Sequence, residues 1–188
     1  MDDRKLREYA LNIFNNVPGY SLQKAFTLFP KYYTKIAFYY SELITQKQEE
    51  LTTKMIRQVG LSRAQTLVRF ARATNITMKK VYFSSKVLMQ KLDKIVSLME
   101  FNTSYEELSS YKIDVFKTHG HIMDNVKFLA NINNKAFTKV KDEAKKYGFN
   151  DILDEANYYL ALNKKLLGNI IDTSKYYIES YIEGLNIN

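Results

Sequence analysis

The chain has 188 residues, 46% of them hydrophobic, carries a net charge of +8 and contains no cysteine. Length and apolar content suffice for the core of one domain, so a single all-helical domain over residues 1–188, with 1–29 as an N-terminal helical arm, is expected. Lack of cysteine excludes disulfides, thiolate metal sites and a thiol nucleophile. No apolar run approaches the length of a membrane span, and Met1-Asp2-Asp3-Arg4-Lys5 leads into no secretory-type segment, so a cytoplasmic chain is expected.

Two prolines and six glycines punctuate the sequence, and the absence of Asn-Gly and Asp-Gly pairs leaves strands without their hairpin turns. The prediction is all-α. Leu6, Ala10, Ile13, Phe14 and Val17 hold helical spacing before Pro18-Gly19 stops them, and Leu22 to Phe29 forms a short second piece. Pro30 suits the first turn of a helix running to Val59, with Tyr33, Ile36, Tyr40, Leu43, Leu51 and Met55 on one face and Gly60 as its C-terminal cap. Ser62-Arg63-Ala64-Gln65 reads as a capping box opening the next helix. Its inward positions Leu67, Ala71, Thr74, Met78, Val81, Ser85, Leu88, Leu92, Ile95 and Met99 step by fours and threes, the rhythm of a coiled-coil seam.

A second box, Ser104-Tyr105-Glu106-Glu107, opens a helix with Leu108, Val115, His119, Ile122, Val126 and Leu129 on its seam, and Gly120 and Asn131 to Asn134 are candidate breaks in it. After Gly148, Asn150-Asp151 caps a last helix ending near Gly184. The predicted architecture is an elongated antiparallel bundle of about four long helices, 30–59, 62–101, 104–147 and 150–184, behind a short N-terminal helix and arm.

Charge is concentrated in one of these elements. From Leu51 to Met99 there are ten cations against the single anion Asp93, a local charge of +9, so the remainder of the chain sums to about −1. Arg57 lies near the end of the preceding helix and Arg63 in the first turn of the long one. At 100° per residue, Arg69, Arg72, Lys79, Lys80, Lys86, Lys91 and Lys94 fall within an arc of roughly 140° opposite its seam. Ile76, Phe83 and Val87 lie inside the same arc, which predicts a cover in the form of the N-terminal segment, a second protomer or a ligand.

Such a stripe fits an anionic partner. There is no helix-turn-helix, zinc-finger or RNA-recognition signature, so the expectation is binding to nucleic-acid backbone without sequence specificity, in a coating or packaging role. The alternative is a helical assembly or protein-interaction module that self-associates or binds a partner helix, with no nucleic-acid role; the expected partner is nucleic acid or an acidic protein, and a homo-oligomer is expected. Tyr32, Tyr33, Tyr39 and Tyr40 beside Lys31 and Lys35 fit core better than base stacking, whereas Phe38 lies off their face and is expected to be exposed as part of an interface.

Catalytic constellations are thin. His119 and His121, the only histidines, point about 200° apart on a continuous helix and cannot share a metal. Asp151, Asp154 and Glu155, ahead of Ala156-Asn157-Tyr158-Tyr159-Leu160, resemble the acidic helix of all-α nucleoside-triphosphate pyrophosphatases of the MazG type over one short segment. That resemblance implies magnesium-dependent nucleotide hydrolysis, but the Glu-x-x-Glu partner helix is missing, and Asp151 also suits the positive end of a helix. No enzyme activity, cofactor or metal is expected.

Overall fold

A computed structural model of the chain describes residues 2–100 and 104–185, with every side chain among them except that of Asn169. Among these residues the fold is all-α, with helices α1 (Asp3–Phe14), α2 (Leu22–Leu28), α3 (Tyr33–Val59), α4 (Gln65–Glu100), α5 (Tyr105–Tyr147) and α6 (Asn150–Leu185). Local sequence sets most of the boundaries. The Asp2 carboxylate accepts the Arg4 N–H, the Ser21 hydroxyl accepts that of Lys24 and the Ser104 hydroxyl that of Glu107, each satisfying a donor that a helix start leaves orphaned. Pro30 opens a 3₁₀ turn, Pro30–Tyr32, that leads into α3. Gly148 ends α5 in the left-handed conformation, φ 75°, a geometry that costs any residue with a Cβ.

Two expected boundaries are corrected. α4 starts at Gln65, and Ser62 lies within the turn of residues 61–64 instead of capping the helix. That turn is held by the Ala64 N–H, which bonds the Gly60 and Leu61 carbonyls, and by burial of the Ala64 side chain. α5 runs unbroken through both candidate breaks. Gly120 is exposed, where a helical glycine costs only about 1 kcal/mol against alanine. In the asparagine run, Ile132 and Asn133 are buried and held by tertiary contacts. Phe101, the expected last residue of the second long helix, lies outside the described residues.

Helices α3 to α6 run antiparallel to their sequence neighbours. Phe38 meets Tyr82 and Lys31 pairs with Asp93 at one end of the α3–α4 pair, Lys91 meets Asp114 between α4 and α5, and Phe137 meets Tyr159 between α5 and α6. α5 packs along both α4 and α6, and α3 touches α4, α5 and α6, whereas α4 and α6 make little direct contact. The cross-section is therefore a rhombus, with α3 and α5 on the short diagonal and α4 and α6 at the outer corners. An outer-corner helix buries one seam and leaves a wide arc open.

The core follows the predicted seam on α4, where Leu67, Thr74, Val81, Ser85, Leu88, Leu92 and Ile95 are all buried. On α3 the one-face expectation fails. Tyr33, Thr34 and every residue from Ile36 to Ser41 are buried, because α3 has neighbours on several sides: α1 meets Tyr39 and Tyr40, Tyr177 of α6 meets Tyr33, His119 of α5 meets Thr34, and Tyr82 of α4 meets Phe38. Phe38, expected to be exposed, is 1% exposed beside the rings of Tyr39 and Tyr82. The α3 tyrosines are likewise core. Burial raises the Tyr33 and Tyr40 hydroxyls above their ordinary range and pushes Tyr39 up to about 12.

Candidate nucleic-acid interface

The outer arc of α4 is where the predicted cations meet. Between Gln65 and Leu92 the helix contains no acidic residue. An ordinary solvated face would set acids four residues from its cations, since those pairs stabilise an exposed helix, and like charges three or four apart destabilise it by similar tenths of a kcal/mol. Arg69 with Arg72, and Lys91 with Lys94, are such like-charged pairs. Six side chains, Arg69, Arg72, Lys79, Lys80, Lys86 and Lys94, are exposed and have no carboxylate within 4.0 Å among the described residues. They span roughly 38 Å of helix at 1.5 Å per residue.

Three predicted site residues do not belong to this set. Lys91 is half-buried, with its ammonium 2.9 Å from the Asp114 carboxylate and 2.7 Å from the Thr118 hydroxyl on α5. Arg57 sits in the last turn of α3, and Arg63 lies in the 61–64 turn, where its guanidinium donates to the Tyr147 hydroxyl over 3.3 Å. Both arginines are exposed and stand beyond the start of α4, at one end of the stripe. Asp93, the one acid of the stretch, is taken by Lys31 and so does not screen Lys94.

Apolar groups interrupt the stripe in the open. Phe83 is 69% exposed and Ile76 58%, whereas Val87 is half-buried. The N-terminal segment, one of the three expected covers, docks elsewhere, with α1 on α3 and Phe26 of α2 stacked on Tyr177 of α6, ring centroids 4.4 Å apart. Tyr82, not singled out from sequence, is 41% exposed, and Lys86 Nζ lies 4.5 Å from the centre of its ring. Its position at the edge of the arc, next to Phe83, was the available signal.

Other candidate chemistry does not converge. Asp151 and Asp154 are exposed at the start of α6, and Glu155 pairs with Lys54 at 2.7 Å. Among the described residues no three His, Asp or Glu side chains gather as a metal ion would require. His121 is exposed, with Asn125 beside it, whereas His119 is buried, Nδ1 lying 3.3 Å from the Thr34 hydroxyl. Burial pushes the His119 imidazole down to about 4, so it is neutral near pH 7. It borders a cavity of about 230 Å³ between α5 and α6, with Phe116, Met123, Ile171 and Ile178 among its apolar walls. No helix of the described residues is long and apolar enough to cross a membrane. Comparison with protein-family models, curated proteins and solved structures finds no match to this chain.

Proposed function

We propose that this protein binds the sugar–phosphate backbone of nucleic acid through the outer face of α4, without reading base sequence. The observation that carries this reading is the row of six exposed cations without a carboxylate partner among the described residues, on a helix stretch that is free of acids from Gln65 to Leu92. Arg69 and Arg72 can each offer a phosphate two parallel N–H donors, and the lysines act as point charges along the strand. Binding releases the counterions condensed on the polyanion, which supplies the driving force. Nothing on the face forms a base-edge code, so affinity is set by phosphate count.

Fluorescence anisotropy with oligonucleotides of unrelated sequence and equal length tests it. The expected result is the same affinity for each, falling by about tenfold or more in the triple variant Arg69→Glu, Arg72→Glu, Lys79→Glu at low salt. No binding, or binding indifferent to the triple reversal, would reject it.

A second reading rests on Ile76 and Phe83, whose exposure also fits a contact between copies of the chain. It predicts a mass that rises with concentration and falls on Phe83→Ala.

A further inference from the structure

The apolar groups within the stripe bear on which nucleic acid it takes. Phe83 stands at the centre of a cationic ring, with Lys79 four residues before it, Lys80 three before and Lys86 three after, the spacings that bring helix side chains together. It is the most exposed large hydrophobic side chain on α4, at 69%, and Tyr82 beside it is open at 41% with Lys86 against its ring. A duplex offers this surface phosphates and polar base edges, leaving the phenyl ring facing charge and water. Unpaired bases offer faces on which an aromatic ring can stack while their phosphates meet the flanking ammonium groups.

Steric fit points the same way. The major groove of a duplex is about 12 Å wide and a helix with its side chains is about 10–12 Å across, so a lone helix fills it. α4 is not alone, being flanked by α5 along its length and by α3 over part of it, so the neighbours would meet the phosphate walls before the α4 face reached the groove floor. A single strand lying along the outer corner meets no such obstacle.

We infer that the preferred ligand of this face is single-stranded nucleic acid, with Phe83 as the stacking platform and Lys79, Lys80 and Lys86 holding the adjacent phosphates. The inference rests on the backbone-binding reading above and narrows its substrate class.

The chain has no tryptophan, so Phe83→Trp introduces a unique fluorescent reporter at the platform. The experiment compares the full chain, Phe83→Trp and Phe83→Ala for binding to a thymidine oligonucleotide and to a hairpin duplex of the same nucleotide count. The expected result is tighter binding to the single strand, quenching of Trp emission by that strand alone, and a loss of about tenfold in single-strand affinity for Phe83→Ala with duplex affinity unchanged. Equal binding of both ligands with Phe83→Ala silent would overturn the inference and leave backbone binding standing. Salt-independent binding, or none, of either ligand would overturn both. A wild-type dimer that Phe83→Ala converts to monomer, with strand binding unaltered, would assign Phe83 to a subunit contact and overturn the inference.

Discussion

Asn133 of α5 donates a hydrogen bond of 3.1 Å from Nδ2 to the Thr45 hydroxyl of α3, deep in the middle of the bundle. The contact belongs to a cluster of buried polar side chains in the bundle core. Asn163 of α6 donates to the Ala130 carbonyl, one turn from Asn133, over 2.8 Å, and Ser41 and Gln48 are buried one turn to either side of Thr45. Apolar seams can slide by a heptad at little cost, whereas a buried amide matched to one hydroxyl cannot, so this cluster fixes the register of α5 against α3.

Thr45→Val therefore removes the acceptor and leaves the Asn133 amide N–H buried without it, at a cost of about 1–3 kcal/mol. The Thr45 hydroxyl also donates to the Ser41 carbonyl of its own helix, and Thr53 bonds the Glu49 carbonyl in the same way but at an exposed position. Thr53→Val should stay within about 0.5 kcal/mol of wild type. Urea unfolding of the two variants side by side checks the difference.

His119 makes folding stability depend on pH in a defined window. An unfolded histidine takes up its proton as pH falls through about 6.5, but the buried imidazole resists protonation until about 4. The unfolded state then binds more protons, so stability is full above pH 6.5 and falls between there and pH 4, by up to roughly 3 kcal/mol. Urea midpoints between pH 6.5 and 5, before most carboxylates titrate, should decline for wild type and stay level for His119→Gln, whatever the variant's absolute stability. A flat wild-type profile would contradict the assignment.

Two phenylalanines close together on the α3–α4 side of the bundle have opposite roles. Phe38, 1% exposed, fills core, and Phe38→Ala should cost about 3–5 kcal/mol. Phe83→Ala should change stability by less than about 0.5 kcal/mol, which also makes it a clean binding variant. Gly120 adds the converse case. It sits in continuous α5 with nothing within 4 Å of a Cβ placed there, so Gly120→Ala should stabilise by about 0.5–1 kcal/mol in thermal unfolding.

The sequence carries the outline of this fold because each long helix writes its own signal. Of the fours and threes from Leu67 to Ile95 all but Ala71 and Met78, which are half-buried, are buried as that rhythm implies, and Ser104 with Glu107 marks the start of α5. Periodicity reports only the richest apolar face of a helix, however, and says nothing of how many neighbours it has. Phe38 departs from the expectation for that reason, since Tyr82 of α4 meets a side of α3 that no pattern on α3 announces. Asn133 reads from sequence as part of a break and Asn163 carries no local signal, because a buried amide is recognised by its partner, which lies on another helix. The stripe was legible as a set of angles on α4. What the angles could not give was that Asp114, on α5, takes Lys91.

That ion pair yields its own prediction. Lys91 is engaged by Asp114 and Thr118, whereas Lys79 and Lys80 face solvent. Lys79→Gln with Lys80→Gln should lower the salt dependence of oligonucleotide binding by about 0.7 in slope per charge on a single strand, and Lys91→Gln by much less. Titration of each variant at several salt concentrations separates them.

The central claim is that unpaired cations on α4 engage phosphates, and the slope of log affinity against log salt for a single-stranded oligonucleotide tests it most directly. Six engaged charges predict a slope of about −4, shrinking when Arg69, Arg72 and Lys79 are reversed. A slope near zero, or one that the reversal leaves in place, would contradict it.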